Sequence, residues 1–260
     1  MCTVSWYADK NSYKVFFNRD ECKDRARAVA PEIYTVRSQT SSQSHIMPLD
    51  PVGGGTWFAV NEFGLVFALL NYYQGRLPKG RLHSRGEIVK QIVSSRSLLE
   101  AQTYLQSLNL QKFPPFSLLV FTPELMQAQK EVPLFCWNGK ALLQQSMSSP
   151  LFSSAMDFEV VRESREEVYK QLILTKNEVN DEDFLQLHKS HLPEKSRFSI
   201  CMHRDDASTV SFSYVSVNSG SVDFYYADGA PCQAQLQKAL SMPRKVMPEQ
   251  SHPSPIPHTL

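Results

Sequence analysis

The sequence has almost no net charge and no long apolar run, and these two absences exclude several classes of protein. Lys and Arg together number 27 and Asp and Glu 26, which leaves a formal net charge of +1. No basic excess favours a nucleic acid or an anionic membrane surface as partner. No apolar run approaches the ~20 residues of a membrane-spanning helix. No basic region followed by an apolar one marks a secretory signal. We therefore expect no integral membrane segment, no nucleic-acid partner and no secretion.

Cysteine is scarce, and its spacing lacks the pairs that are typical of zinc sites. The five cysteines are Cys2, Cys22, Cys136, Cys201 and Cys232. Their odd number and wide separation fit free thiols in a reducing compartment, so we expect a location in the cytoplasm or in an organelle lumen or matrix. We expect no metal site. The pair Cys201 and His203 is interpreted as a core thiol beside a strand-end histidine, and the pair His188 and His191 as surface residues of a helix.

The order of apolar patterns predicts one large domain of the α+β class. The chain has 260 residues, of which 42% are hydrophobic, and this is enough for a sizeable core. Strands, a pair of helices, more strands, a second pair of helices and final strands follow one another, while 22–36 and 38–51 are predicted to be irregular. A Pro-rich end with few apolar residues cannot bury enough surface to order itself. We predict a domain at 1–241 and a disordered tail at 242–260.

The first 21 residues predict a β-hairpin. Residues 2–7 and 13–17 are rich in β-branched and aromatic types, and a polar run separates them. If the turn centres on Lys10 and Asn11, then Cys2 lies directly opposite Arg19, with Cβ atoms roughly 4.5–5.5 Å apart. A register error of one would bring up Asn18 or Asp20 instead.

Cys2 is the candidate nucleophile. The initiator methionine is normally removed before a residue as small as cysteine, and Cys2 would then carry a free α-amine beside its thiol. A base or a cation close to a thiol favours the reactive thiolate, and Arg19 and Asp20 are the nearby charged groups. The alternative interpretation is that Cys2 is a small strand residue and that the run 18–21 is a solvated hairpin end.

Several motifs resemble the NRDE family, which is also called the transport and Golgi organisation family. In chain order they are Met1-Cys2, Asn18-Arg19-Asp20-Glu21, Gly54-Gly55-Thr56-Trp57, Asn71-Tyr72 and Arg85-Gly86-Glu87. The resemblance runs from residue 1 to about residue 228. That family is similar in turn to the N-terminal-nucleophile (Ntn) hydrolases of the choloylglycine hydrolase and penicillin acylase branch. The resemblance implies a four-layer αββα sandwich, in which two sheets are enclosed by helices.

The resemblance also implies roles for individual residues. Cys2 would be the nucleophile, its α-amine the base, and Asn18, Arg19 and Asp20 would surround it. Asn71 would hold the substrate carbonyl and its oxyanion, with Asn61 as the fallback.

Trp57 is interpreted as a core or cleft-wall residue. Glycines 53–55 have no Lys-Ser/Thr after them and make no phosphate loop; we expect them to let the backbone pass close to the strand end that carries Cys2.

Two positions depart from the family pattern. Where the family has Ser-Asn, this chain has Ser153-Ser154, so the second carbonyl-holding group would be the shorter Ser154. The related enzymes carry an Arg just before the penultimate strand, and here Arg204 is the candidate. Both departures weaken the enzyme hypothesis.

Two functions therefore remain open. The first is cysteine-dependent hydrolysis or transfer of a linear amide or acyl group, which requires no cofactor. The second is a non-catalytic carrier that uses the same cleft for haem or acyl-CoA, the ligands that the resemblance implies. Arg76, Lys79 and Arg81 would meet phosphates in an acyl-CoA complex, although such a cluster is also typical of a solvated loop.

Overall fold

The computed structural model describes residues 1–37, 42–127 and 131–246. Its strands in chain order are β1 (Cys2–Ala8), β2 (Ser12–Cys22), β3 (Val29–Arg37), β4 (Ser42–Leu49), β5 (Phe58–Asn61), β6 (Val66–Asn71), β7 (Phe116–Phe121), β8 (Val132–Trp137), β9 (Leu142–Met147), β10 (Leu151–Ser153), β11 (Ala207–Asn218), β12 (Ser221–Ala227) and β13 (Gln237–Pro243). The helices are α1 (Gly86–Ile92), α2 (Leu98–Ser107), α3 (Phe158–Tyr169), which a π-helical segment at Lys170–Leu174 continues, and α4 (Asp181–Lys189). Short 3-10 turns lie at Leu110–Lys112 and Pro123–Gln127.

The strands form two antiparallel sheets. The first sheet has six strands in the order β10-β1-β2-β11-β12-β13, and the second has seven in the order β3-β4-β5-β6-β7-β8-β9. The second sheet follows chain order throughout. The first sheet joins the N-terminal hairpin to strands from the second half of the chain, because β10 pairs with β1 and β11 pairs with β2.

The two sheets pack face to face. Side chains alternate between the two faces of a strand, and Val4 and Trp6 of β1 and Phe17 of β2 point into the layer between the sheets. They meet Phe58 and Leu119 of the second sheet there. This layer is the main apolar core, and burial of such side chains contributes about 1.5–3 kcal/mol each.

Each sheet carries a pair of helices on its outer face. Ile88 of α1 and Leu105 of α2 pack on the second sheet, whereas Val168 of α3 and Phe184 and Leu187 of α4 pack on the first. The order of layers is therefore helix, sheet, sheet, helix. This arrangement confirms the predicted αββα sandwich.

Several elements were missed from the sequence for one physical reason. The segment Val29–Arg37 is a strand although its residues are mostly exposed, and Ser42–Leu49, inside the predicted loop at 38–51, is its partner. They are the two outermost strands on one side of the second sheet, and neither shows a clear alternation of apolar and polar residues. The strand β13, at the corresponding edge of the first sheet, was missed in the same way.

The strand β13 runs past the predicted domain boundary at 241, because Met242 is buried in the core. Beyond the strand, Arg244 N donates to Gly220 O over 2.9 Å. Residues 247–260 of the predicted disordered tail lie outside the described residues.

Candidate active site

A cleft of about 390 Å³ lies where β1, β2 and β6 end beside the loops at 50–57 and 82–86. Five of the predicted site residues line this cleft, and they are Cys2, Arg19, Asp20, Trp57 and Asn71. They come from three strands and one loop of the two sheets. The αββα packing brings these strand ends together, so the cleft is a product of the tertiary fold.

Cys2 lies directly opposite Arg19 on the paired strands β1 and β2, as the turn position predicted. On its other side Cys2 pairs with Ser153 of β10. The side chain faces the layer between the sheets, and burial raises the pKa of the thiol. The positive N-terminus opposes this rise, and the Asp20 carboxylate adds to it. A buried thiol of this kind needs a nearby base to become a nucleophile.

Asp20 forms a buried ion pair that the sequence did not indicate. Its Oδ1 accepts a hydrogen bond from Thr209 Oγ1 over 2.7 Å, and Arg165 Nη2 lies 3.5 Å from Oδ2. Both charged side chains are fully inaccessible to solvent. Burial raises the pKa of Asp20, while Arg165 pulls it down.

Arg165 extends from α3 through the outer face of the first sheet. Its Nη1 donates to Thr3 Oγ1 over 2.9 Å, and its Nη2 donates to Arg197 O over 3.2 Å. Thr3 is the neighbour of Cys2 on β1, so the guanidinium lies close behind the nucleophile. Arg165 is therefore a buried cation next to the strand that carries Cys2, and it does not line the cleft. Arg204 lies outside the cleft and pairs with Asp206.

Arg19 stacks on Trp57 across the two sheets. The guanidinium carbon lies 4.3 Å from the ring centroid of Trp57, which is a cation–π contact. Its Nη2 also lies 3.4 Å from Glu21 Oε2. Arg19 is therefore held as a fixed positive wall of the cleft beside Cys2. Trp57 acts as both a cleft-wall and a core residue.

Asn71 and Arg85 line the opposite wall. Asn71 Nδ2 donates to Tyr73 Oη over 2.8 Å, and this uses one of the two amide hydrogens. Arg85 Nε donates to Pro115 O over 3.1 Å, and burial lowers the pKa of Arg85. No carboxylate in the described parts of the chain forms an ion pair with Arg85. The motif Arg85-Gly86-Glu87 supported the family resemblance, but its arginine received no predicted role.

Met1 lies between Asp20 and Ser154. Asp20 N donates to Met1 O over 3.1 Å, so the Met1–Cys2 peptide bond lies beside Asp20. Ser154 Oγ lies 2.9 Å from Met1 Sδ and is also within hydrogen-bond distance of Met156 O. A hydroxyl has one donor hydrogen, and Ser154 is buried at the edge of the site rather than in the cleft lining.

Two predicted asparagines do not face the cleft, and their assignments are corrected. Asn18 points to the helix side of the first sheet, where its Nδ2 donates to His188 O and Ile200 O over 3.0 Å each. Asn61 Nδ2 donates to Val93 O and Ser95 O, and its Oδ1 accepts from two backbone N–H groups of the following turn. Each amide is saturated by protein groups, so both asparagines stabilise the fold.

His188 is also corrected, because it is fully buried rather than on the surface. Its Nε2 lies 2.8 Å from Ser5 Oγ and its Nδ1 3.0 Å from Asn18 Oδ1. Burial lowers the pKa of His188 to about 3, so the ring is neutral at physiological pH.

The predicted phosphate cluster lies on an exposed loop. Arg76, Lys79 and Arg81 are all exposed, and none of them lines the cleft.

The prediction for the glycines at 53–55 is corrected as well. Gly55 packs against Gly86 at the start of α1, where a Cβ on Gly55 would lie 2.6 Å from Gly86 Cα. The glycines thus bring together two loops of the cleft wall rather than approaching the strand of Cys2.

The family described as Transport and Golgi organisation 2 matches residues 1–149. This is more than half of the 260 residues, and the matched part includes the cleft-lining residues named above. The comparison with curated proteins gives no match. No helix in the described parts of the chain is long and apolar enough to cross a membrane.

Solved hydrolases have a similar fold. A variant of the conjugated bile acid hydrolase from Clostridium perfringens has a TM-score of 0.53 at 12% identity, over 95% of this chain and 97% of that one. A second variant of that enzyme gives 0.52 at 11% identity, over 96% and 100%. The Caenorhabditis elegans ortholog of N-acylethanolamine-hydrolyzing acid amidase gives 0.53 at 10% identity, over 82% and 92%. At such identities the likeness shows the fold alone, and it confirms the predicted Ntn-hydrolase fold.

Proposed function

Because the chain belongs to the Transport and Golgi organisation 2 family and has the Ntn-hydrolase fold, we propose that it hydrolyses or transfers an amide-linked or acyl group with Cys2 as nucleophile. One observation carries this proposal. Asp20 Oδ2 is buried and accepts no hydrogen bond in the described structure, although its charge partner Arg165 lies 3.5 Å away, and Asp20 is the residue whose backbone N binds Met1 O. We expect a free α-amine on Cys2 to donate the missing hydrogen bond to this oxygen.

Removal of Met1 is the step that prepares the site. It turns the Cys2 nitrogen from an amide into an amine, which can accept a proton. The amine takes the thiol proton as the sulfur attacks the acyl carbon, and it returns that proton to the leaving amine as the C–N bond breaks. Water or a second acceptor then attacks the thioester, which releases the acyl group and restores the thiol.

Asn71 is the donor for the oxyanion of the tetrahedral intermediate. Tyr73 occupies one of its amide hydrogens, and the second is available to the cleft that Asn71 lines. A single well-placed donor of this kind lowers the activation free energy by about 2.7–4 kcal/mol. Tyr73 fixes the orientation of the amide and thereby reduces the reorganisation that the reaction requires.

Arg85 points to a substrate with an anionic group. A partly buried guanidinium without a carboxylate partner in the described chain favours a carboxylate or phosphate ligand, which it binds with charge-assisted hydrogen bonds. Arg19 lies in the same cleft but is already paired with Glu21 and Trp57. We therefore propose an anionic acyl or amide compound as the substrate.

The second candidate function is a carrier of haem or acyl-CoA, and the same cationic wall supports it. Both ligands are anionic, and either would place its charge at Arg85 without needing Cys2 chemistry. The exposed cluster of Arg76, Lys79 and Arg81 gives the carrier no additional support inside the cleft.

One experiment separates the two functions. Hydrolysis of a panel of anionic acyl amides and acyl-CoA thioesters is followed with the wild-type chain, Cys2→Ala and the control Cys136→Ala, whose cysteine lies in the second sheet. The enzyme proposal predicts turnover that only Cys2→Ala abolishes. Stoichiometric binding of haem or acyl-CoA, without turnover and unchanged in Cys2→Ala, would establish the carrier instead.

A further inference from the structure

Two cysteines and two histidines meet outside the cleft, and they are His191, Cys201, His203 and Cys232. Their ligand atoms all lie within 4.8 Å of one another. They come from two loops at one end of the first sheet, the loop 190–206 between α4 and β11 and the loop 228–236 between β12 and β13. His191 follows α4, Cys201 and His203 precede β11, and Cys232 follows β12. We propose that these four side chains bind one zinc ion.

The distances between these side chains fit a tetrahedral metal site. Cys201 Sγ lies 3.6 Å from His203 Nε2, and Cys232 Sγ lies 3.3 Å from the same nitrogen. Zn–S bonds of about 2.3 Å and Zn–N bonds of about 2.0–2.1 Å place tetrahedral sulfur and nitrogen ligands about 3.6 Å apart. The rings of His191 and His203 have centroids 5.1 Å apart and are steeply inclined at 68°, so their nitrogens can converge without the rings stacking.

The burial of the cluster also favours a metal ion. Cys201 is fully buried and the other three residues are half-buried. His191 Nε2 is buried and has no hydrogen-bond partner in the described structure. A buried polar atom normally has a partner, and a metal ion bound at Nε2 would be that partner.

The donor set selects the metal. Two thiolates and two neutral imidazoles in a four-coordinate arrangement are typical of zinc. Binding replaces two S–H bonds with two S–Zn bonds and releases two protons, so the complex of one Zn²⁺ and two thiolates has no net charge and needs no oxidant or reductant. Because four protein ligands complete the shell, no position remains for a substrate or a water, and the site is structural.

A chain of hydrogen bonds connects the cluster to the candidate active site. Cys201 N donates to Ser190 O over 3.0 Å, which holds Cys201 close to the residue before His191 within the same loop. Met202, between two ligands, donates from its backbone N to Thr209 Oγ1 over 2.9 Å. The same hydroxyl donates to Asp20 Oδ1 over 2.7 Å. Zinc would therefore fix the irregular segment that orients the Asp20 carboxylate.

Spacing along the chain conceals this site, which is why the sequence predicted no metal. Cys201 and His203 are two residues apart, but His191 lies ten residues before Cys201 and Cys232 lies 31 residues after it. No paired motif joins them, and only the folding of the loop 190–206 and its packing against the loop 228–236 bring them together.

The test measures metal content on the full chain. Protein purified without chelator, or stripped and reloaded with Zn²⁺ and then gel-filtered, is expected to hold close to one zinc per chain by elemental mass spectrometry. Cys201→Ser and Cys232→Ser should each lower zinc content at least tenfold, whereas the control Cys136→Ser, whose cysteine lies in the second sheet, should retain it.

Two readouts on the wild-type chain keep the test decisive if those variants fail to fold. Titration with an organomercurial should release one zinc per chain, and the release should follow the modification of Cys201 and Cys232 rather than that of the other three free thiols; Co²⁺ in place of zinc should give thiolate-to-cobalt charge-transfer absorption. A reloaded chain with far less than one zinc would overturn the proposal. So would unchanged zinc in a folded Cys201→Ser or Cys232→Ser variant, or a Cys201–Cys232 disulfide in protein purified under reducing conditions.

Discussion

The guanidinium of Arg165 lies 3.5 Å from Asp20 Oδ2, and neither side chain is accessible to solvent. This pair joins helix α3 to the strand end beside Cys2, so the outer helix layer contributes directly to the electrostatics of the cleft. A buried charge strongly destabilises the fold when its partner is removed.

Replacement of Arg165 should be strongly destabilising. Arg165→Met leaves Asp20 buried without its partner, which typically costs about 3–5 kcal/mol of unfolding free energy. Urea denaturation measures this loss. The control is Arg162→Met on the same helix, because Arg162 pairs with Glu159 and Glu166 at the surface and such pairs contribute about 0–1 kcal/mol. Addition of Asp20→Asn to Arg165→Met should recover part of the stability. Equal losses for Arg162→Met and Arg165→Met would contradict this account.

His188 should make the fold less stable in acid. Its pKa is lowered to about 3 in the fold, against about 6.5 in an unfolded chain. Between these values the unfolded chain binds a proton that the folded chain does not, so stability is complete above pH 6.5 and falls as the pH drops towards 3. From pH 7 to pH 5 this residue alone should remove about 2 kcal/mol.

The measurement compares urea denaturation at pH 7 and pH 5 for the wild-type chain and His188→Gln. The loss between the two pH values should be smaller by about 2 kcal/mol in the variant. His83→Gln is the control, because His83 is exposed, and it should keep the wild-type dependence. A pH dependence of stability that His188→Gln leaves unchanged would contradict the lowered pKa of His188 in the fold.

Gly55 should tolerate no side chain. A Cβ there would collide with the backbone of Gly86, which cannot move aside as a flexible side chain can. Gly55→Ala should therefore cost about 1–3 kcal/mol and displace the cleft wall. Gly220→Ala is the matched control, since a Cβ at Gly220 would lie 3.8 Å from its nearest neighbour. Thermal unfolding of both variants tests this, and equal midpoints would refute the close approach of the two loops.

Arg85 should determine the affinity for anionic ligands. Hydrogen bonds to charged groups contribute about 1.5–3 kcal/mol, so Arg85→Ala should raise KM, or Kd for a carrier, roughly 10- to 150-fold for anionic compounds. Neutral analogues should be unaffected, and kcat should change little. Arg81→Ala, on the exposed loop outside the cleft, is the control. If Arg81→Ala weakened binding and Arg85→Ala did not, the anion would bind at the loop.

The parts of the site that the sequence predicted are those set by local geometry. The turn at Lys10 and Asn11 fixes the register of a tight hairpin, and that register places Cys2 opposite Arg19. Arg165 was not predictable in this way, because it lies 162 residues from Thr3, to which it donates. A charged residue in an amphipathic helix is usually interpreted as solvent-exposed, and only the docking of α3 on the sheet shows that it is buried.

The same limit applies to Asn18 and Asn61. An asparagine at a strand end is equally suited to bind a substrate carbonyl or to saturate nearby backbone groups. The choice depends on what the neighbouring helices present, namely the carbonyls of His188 and Ile200 for Asn18 and those of Val93 and Ser95 for Asn61. Asn71 has no such backbone partners in the described structure and remains directed at the cleft.

The central claim is that Cys2 is a free, activated N-terminal nucleophile, and intact mass spectrometry tests it most directly. The wild-type chain and Cys2→Ala are weighed before and after brief treatment with a thiol-reactive acylating probe. The account predicts a wild-type mass that lacks Met1 and gains one adduct more than Cys2→Ala, in which the exposed Cys22 still reacts. A chain that retains Met1, or an equal number of adducts on the two chains, would contradict it.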